Sequence, residues 1–102
     1  MPLILKRPVV IDDLAEIWSY IAAESEKRAD ALIDTFDWKF REIAECPVMG
    51  KNRDELFRGV MSLPIGRYIV FYLIIPEGIE VIRVLHSAMD VCFQFGSDIC
   101  CK

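Results

Sequence analysis

The chain predicts an α+β domain: an N-terminal strand, an antiparallel helical hairpin packed on a mostly antiparallel sheet of three to four strands, and a short C-terminal helix. Three observations lead there. Apolar residues recur at three- and four-residue steps through the first half, the period of a helix with one buried face. Two long β-branched and aromatic runs follow, Arg67-Tyr68-Ile69-Val70-Phe71-Tyr72 and Val81-Ile82-Arg83-Val84-Leu85-His86. Between them lies Pro76-Glu77-Gly78, a tight-turn composition.

Leu3-Ile4-Leu5 reads as the first strand, ended by Pro8. A helix then follows, with Asp12 or Asp13 at its start, where a carboxylate is favoured. Its apolar stripe is Ile11, Leu14, Ile17, Trp18 and Ile21. Ser25 is placed to cap a second helix, whose stripe is Ala29, Leu32, Ile33, Phe36, Phe40 and Ile43. Cys46-Pro47 ends it, because the residue before proline is pushed from helical angles. So short a link between helices makes an antiparallel hairpin.

Residues 48–55 read as a loop, residues 56–61 as a strand, and Pro64-Ile65-Gly66 as a turn. Residues 67–75 are almost continuously apolar, as expected of a central strand covered on both faces. Pro76-Glu77-Gly78 fits a three-residue hairpin loop with a glycine bulge, setting Ile75 opposite Ile79. That register puts Arg67, Ile69, Phe71, Arg83 and Leu85 on one face, and Tyr68, Tyr72, Glu80, Ile82 and His86 on the other. A two-residue turn would swap the relation. The pattern leaves open which face the helices cover. Ser87 can cap a final helix through Phe95. A single domain over residues 1–96 with a loose tail at 97–102 is expected.

A chain of 102 residues supports one modest core. Its apolar fraction of 54% is high enough that a partner can account for part of it. No apolar run approaches the roughly 20 residues of a membrane span. No basic region leads into an apolar core at the N-terminus, so a cytosolic protein is expected. Cys46, Cys92, Cys100 and Cys101 lack metal-type spacing, and thiols rather than disulfides or a zinc site are expected; no cofactor is indicated. Net charge is −4, with ten acids against six bases in residues 1–50 and six of each in residues 51–102. That balance argues against a broad phosphate-binding surface.

Few residues carry a chemical signal. The one histidine, His86, sits near Ser87 and Asp90, but three groups so close on one corner do not make a catalytic triad. Arg67 and Arg83 interrupt apolar strands. Each calls for a partner, either an acid of this chain such as Glu16 or Asp90, or an acidic surface of another protein. Trp18 fits its helix's apolar stripe. Trp38 lies off the stripe of its own helix and is the better candidate to meet a partner. Asp12 and Asp13 read as ordinary helix-terminal charges.

Taken together, the residues resemble the ParE branch of the RelE/ParE toxins. The resemblance is carried by residues 12–22, Arg28-Ala29, Leu32-Ile33, Pro47-Val48-Met49-Gly50, Glu55-Leu56-Phe57-Arg58-Gly59, Ser62-Leu63-Pro64, Gly66-Arg67-Tyr68-Ile69-Val70-Phe71-Tyr72 and Ile79-Glu80-Val81-Ile82-Arg83-Val84-Leu85-His86. It implies a type II toxin neutralised by a ParD-like antitoxin whose extended C-terminal segment wraps it. The implied action is inhibition of DNA gyrase, without catalysis or direct nucleic-acid binding. RelE-like members instead resemble ribosome-dependent mRNA endonucleases, and these are the alternative. Where such relatives carry an arginine after the strand tyrosine, this chain has Ile69. Where they carry a second arginine and a tyrosine, it has Met89 and, roughly, Phe95. A phosphoryl transition state needs cationic donors, so these replacements favour the ParE side. His86 and Lys51 are what a ribonuclease reading retains. ParE-like chains commonly carry an arginine before the final aspartate, where this one has Met89-Asp90. An attenuated toxin that still binds antitoxin is therefore a further alternative. Trp38, Arg58, Arg67, Arg83, His86 and Met89 are the expected antitoxin- or target-binding residues.

Overall fold

The computed structural model describes residues 2–86, so the expected helix from Ser87, the tail and Met89 lie outside the described residues. Strand β1 (Leu3–Lys6) leads into helices α1 (Pro8–Ala22) and α2 (Glu26–Glu45), then a 3₁₀ turn (Pro47–Met49). Strands β2 (Lys51–Asn52), β3 (Val60–Ile65), β4 (Tyr68–Ile75) and β5 (Gly78–His86) follow. The α+β class and the helical hairpin are as expected, but the sheet has five strands, not three to four, in the order β1-β5-β4-β3-β2. It is mixed, because β1 pairs parallel to β5. The extra strand, β2, is two polar residues and has no apolar alternation to reveal it.

α1 begins earlier than expected. Pro8 opens the helix rather than breaking the chain, since the first turn needs no N–H from it. Asp13 is therefore in mid-helix, and it is buried. The inward stripe is Val10, Asp13 and Ile17, which leaves Ile11 54% exposed. α2 follows its pattern closely. The Ser25 hydroxyl accepts the Arg28 N–H at 3.2 Å, and Phe36, Phe40 and Ile43 are buried against the sheet.

β3 starts later than expected and runs through Pro64. β2 covers only Met61 and Ser62, so Pro64 stands where no further strand needs its missing N–H. Leu56 is buried without belonging to a strand. Its segment is folded into a turn, in which the Asp54 carboxylate accepts the Gly59 N–H at 2.8 Å. Gly66 takes φ +61° in the tight turn to β4, which puts Arg67 on that turn and not inside the strand.

The β4–β5 hairpin corrects the expected turn. Ile75 opposes Gly78, so the loop is two residues, Pro76 and Glu77. A bulge at Phe71/Tyr72 then shifts the register by one. Beyond it, Phe71 opposes Arg83, Ile69 opposes Leu85 and Tyr68 opposes His86, as expected. Glu80 now opposes Leu73, and Ile82 joins the Phe71 side. The helices cover the face carrying Val70, Tyr72, Ile79, Val81 and Val84. A second apolar cluster of Leu56, Val60, Phe71, Ile82 and Leu85, with Ile69 and Leu73 against it, forms the other side. A side chain at Gly78 would collide with the Leu3 backbone, so this glycine permits the β1–β5 pairing.

Candidate functional site

A groove with a cavity of about 830 Å³ opens where α1 and the start of α2 meet the ends of β4 and β5. Arg67, Tyr68, Arg83 and His86 enter it from the sheet side, and Asp13, Glu16, Tyr20, Glu24 and Arg28 from the helices. Its centre is a closed polar assembly. Asp13 is only 7% exposed. Its carboxylate takes two parallel hydrogen bonds from the Arg83 guanidinium, Nε to Oδ2 at 2.9 Å and Nη2 to Oδ1 at 3.1 Å. The Val84 N–H donates to the same Oδ2 at 3.1 Å. β1 pairs with β5 only through Val81, so beyond that point the edge of β5 has no described strand beside it. Asp13 supplies the acceptor that a strand would have provided, and the forked geometry suits a guanidinium.

Beside this assembly, the Tyr68 ring meets His86 edge-on at 5.2 Å between centroids, and Phe36 packs on Tyr68 at 5.6 Å. His86 is half-buried and takes part in further interactions. The rim differs. Arg67 is exposed on its turn and, like the guanidinium of Arg28, makes no hydrogen bond or ion pair with another described residue. Tyr20 is 80% exposed.

The expected site residues therefore divide. Arg67, Arg83 and His86 come together in the groove. Trp38 lies elsewhere, 61% exposed on α2 beside a different cavity. Arg58 is exposed on the turn leading into β3, and Met89 lies outside the described residues. Arg83 finds Asp13 rather than Glu16. The residue missed from sequence is Asp13. Its signal was its spacing, three after Val10 and four before Ile17, which sets a carboxylate on the buried stripe. Trp18 is half-buried, and its indole N–H donates to Asp30 at 2.8 Å.

Two further positions bear on chemistry. Ile69, where an arginine would stand in an RNA-cutting relative, packs against the second apolar cluster with Phe71 and Leu85. Tyr72 is buried on the helix face, donating to the Pro47 carbonyl at 2.6 Å and accepting the Gly50 N–H at 3.1 Å. Burial pushes its phenol above the ordinary value of 10.0, outweighing the Gly50 hydrogen bond that lowers it. Among the described residues no group of three or more His, Cys, Asp or Glu could hold a metal ion. No described helix is long and apolar enough to cross a membrane. The groove pairs a locked ionic centre with unpaired charges and aromatic edges, an arrangement suited to binding a polypeptide.

Comparison with known proteins agrees with this fold. The sequence model of the family described as "ParE toxin of type II toxin-antitoxin system, parDE" matches residues 4–91. Toxin ParE1 of Caulobacter vibrioides is 32% identical over 92 residues, covering 82% of this chain and 88% of the relative. Toxin ParE1 of Mycobacterium tuberculosis is 32% identical over 89 residues, covering 85% of this chain and 91% of the relative. Among solved structures, a chain of the chromosomal ParDE toxin–antitoxin system from P. aeruginosa superposes with a TM-score of 0.70. It covers 84% of this chain and 96% of that one, at 15% identity, a likeness of fold. The chain belongs to the ParE toxins of type II toxin–antitoxin systems, within the RelE/ParE family.

Proposed function

We propose that this toxin is held inactive by a ParD-like antitoxin and that, once released, it inhibits DNA gyrase and so arrests replication, without catalysis of its own. The observation that carries the non-enzymatic part is the surrounding of Ile69. Cleaving RNA requires cationic donors around a developing phosphoryl charge. At the position where an RNA-cutting relative holds one, this chain has a residue packed against Phe71, Ile82 and Leu85. The net charge of −4 supports a protein target over a nucleic-acid one.

Antitoxin binding fits the groove. An amphipathic segment lying along α1 and the ends of β4 and β5 would cover Tyr20 and Tyr68, and its acids would meet Arg67 and Arg28. Arg83 contributes by holding the groove's floor through Asp13 rather than by contacting the partner charge directly. Arg58, on its separate turn, is a peripheral contact.

The test uses purified toxin with gyrase. Stoichiometric toxin should block supercoiling or trap cleaved DNA, and added antitoxin should reverse the effect. Undiminished supercoiling together with mRNA cleavage on ribosomes after induction would replace this reading with the interferase. Undiminished supercoiling and intact RNA, with antitoxin still bound, would reduce the chain to an antitoxin-binding module. A short neighbouring reading frame with a ribbon-helix-helix pattern would identify the antitoxin to use.

A further inference from the structure

A second cavity, of about 610 Å³, opens at the other end of α2, between that helix, β1 and the 3₁₀ turn. Its lining is mostly apolar and includes Ile4, Trp38, Ala44 and Met49. Trp38 is 61% exposed and Met49 41%, with Val48 beside it at 73%. So much aromatic and thioether surface left in water around a concave site is unfavourable for a free chain, and it is the usual make-up of a binding anchor point.

Two neighbouring features say what kind of occupant fits. The first is charge. α2 ends on Glu42 and Glu45 with no basic residue in its last turn. A helix C-terminus already carries negative partial charge from its unpaired carbonyls. Glu42 is paired with Lys39 at 3.1 Å, whereas Glu45, which lines the cavity, makes no ion pair or side-chain hydrogen bond with another described residue. Arg41 also lines the cavity but is paired with Asp37 at 3.5 Å, so Glu45 is left there as a negative charge with no partner among the described residues. The second is the sheet edge. β1 is the outermost strand on this side, and its Ile4 lines the cavity. An extended segment can add to such an edge.

We infer that this cavity is a second docking point, which receives an apolar side chain from an extended partner segment carrying a Lys or Arg close by in sequence. This rests on the antitoxin reading for the source of the segment, and assigns the part of the antitoxin that it takes. The groove selects acidic residues through Arg67 and Arg28. The cavity selects an apolar residue next to a base. The two lie at opposite ends of α2, so a single wrapping tail would present the two signatures in different stretches.

The experiment uses the full-length toxin with its cognate antitoxin. The chain has two tryptophans, and Trp18→Phe leaves Trp38 alone. With fluorotryptophan in the toxin and none in the antitoxin, the Trp38 fluorine resonance should move on complex formation. Trp38→Ala and Met49→Glu should each weaken binding at least about tenfold, the loss typical of an anchor residue. Glu45→Lys should weaken it less, with a reduced salt dependence, and all three free toxins should melt near the wild-type temperature. A complex that forms while the Trp38 resonance stays still and both variants bind normally would overturn the cavity as a docking point but leave the antitoxin reading intact. No complex with the wild-type toxin would overturn the antitoxin reading, and this inference with it. A resonance that moves with toxin concentration alone would assign the cavity to a second copy of the chain.

Discussion

Arg83 and Arg67 border the same groove and met the same expectation from sequence, yet the fold treats them in opposite ways. Arg83 is gripped by a buried carboxylate that also takes a backbone N–H from β5. Arg67 stands on a two-residue turn, exposed, with no hydrogen bond or ion pair to another described residue. An arginine inside an apolar strand run is thus not a functional signal by itself. What decides its role is whether the fold supplies a carboxylate of matching geometry, and that carboxylate can lie seventy residues away, as Asp13 does. The closed end of the groove gives it a fixed shape, and the open end leaves charge for a partner.

The largest expected effect comes from breaking the closed end. Asp13→Ala leaves the Arg83 guanidinium and the Val84 N–H without acceptors, which should cost about 3 kcal/mol or more. In a chain of this size that lowers Tm by more than about 10 °C, readable by calorimetry. Adding Arg83→Met to Asp13→Ala should recover part of the loss, because an apolar pair is tolerated where a lone charge is not. A double variant no better than the single one would show that the Val84 hydrogen bond, and not the ion pair, holds the edge.

Next comes Tyr72, a polar group that the fold also satisfies completely. Tyr72→Phe strands the Gly50 N–H and the Pro47 carbonyl and should cost about 1–3 kcal/mol. The same residue sets an alkaline limit. Burial raises its folded pKa above 10.0, so the unfolded chain loses the proton first. This contribution is complete below pH 10.0 and falls away as pH rises through the folded pKa. Stability measured across the alkaline range should therefore decline less steeply in Tyr72→Phe than in the wild type.

The smallest effect on folding belongs to Arg67. Arg67→Glu should change stability by no more than about 0.5 kcal/mol, as for exposed sites in general. It should still weaken the antitoxin complex by about tenfold, or about 1.4 kcal/mol, in calorimetric titration. Unchanged affinity together with unchanged stability would remove Arg67 from the site and dissolve the contrast with Arg83.

Much of this was legible in the sequence because local chemistry and the fold agree. Ser25 caps α2 and the Phe36–Phe40–Ile43 stripe faces the sheet, while the far half of the β4–β5 pairing keeps the expected register because the bulge offsets the shorter turn. What escaped were features decided by tertiary partners. A bulge at Phe71/Tyr72 exchanged a three-residue loop for a two-residue one and moved Glu80 and Ile82. Asp13 looked like a helix-start carboxylate until Pro8 proved to open the helix, placing it inside. β2 is too short and polar to leave a pattern. In the candidate site, Arg67 and His86 were found by residue type, whereas Asp13 required knowing which face of α1 meets β5.

The action proposed for this ParE toxin is to bind gyrase rather than to cut RNA. The most direct measurement is DNA supercoiling by gyrase with stoichiometric toxin, run beside an assay of ribosome-associated mRNA. The account predicts loss of supercoiling that antitoxin restores, with the mRNA intact. Undiminished supercoiling with the mRNA cleaved would contradict it.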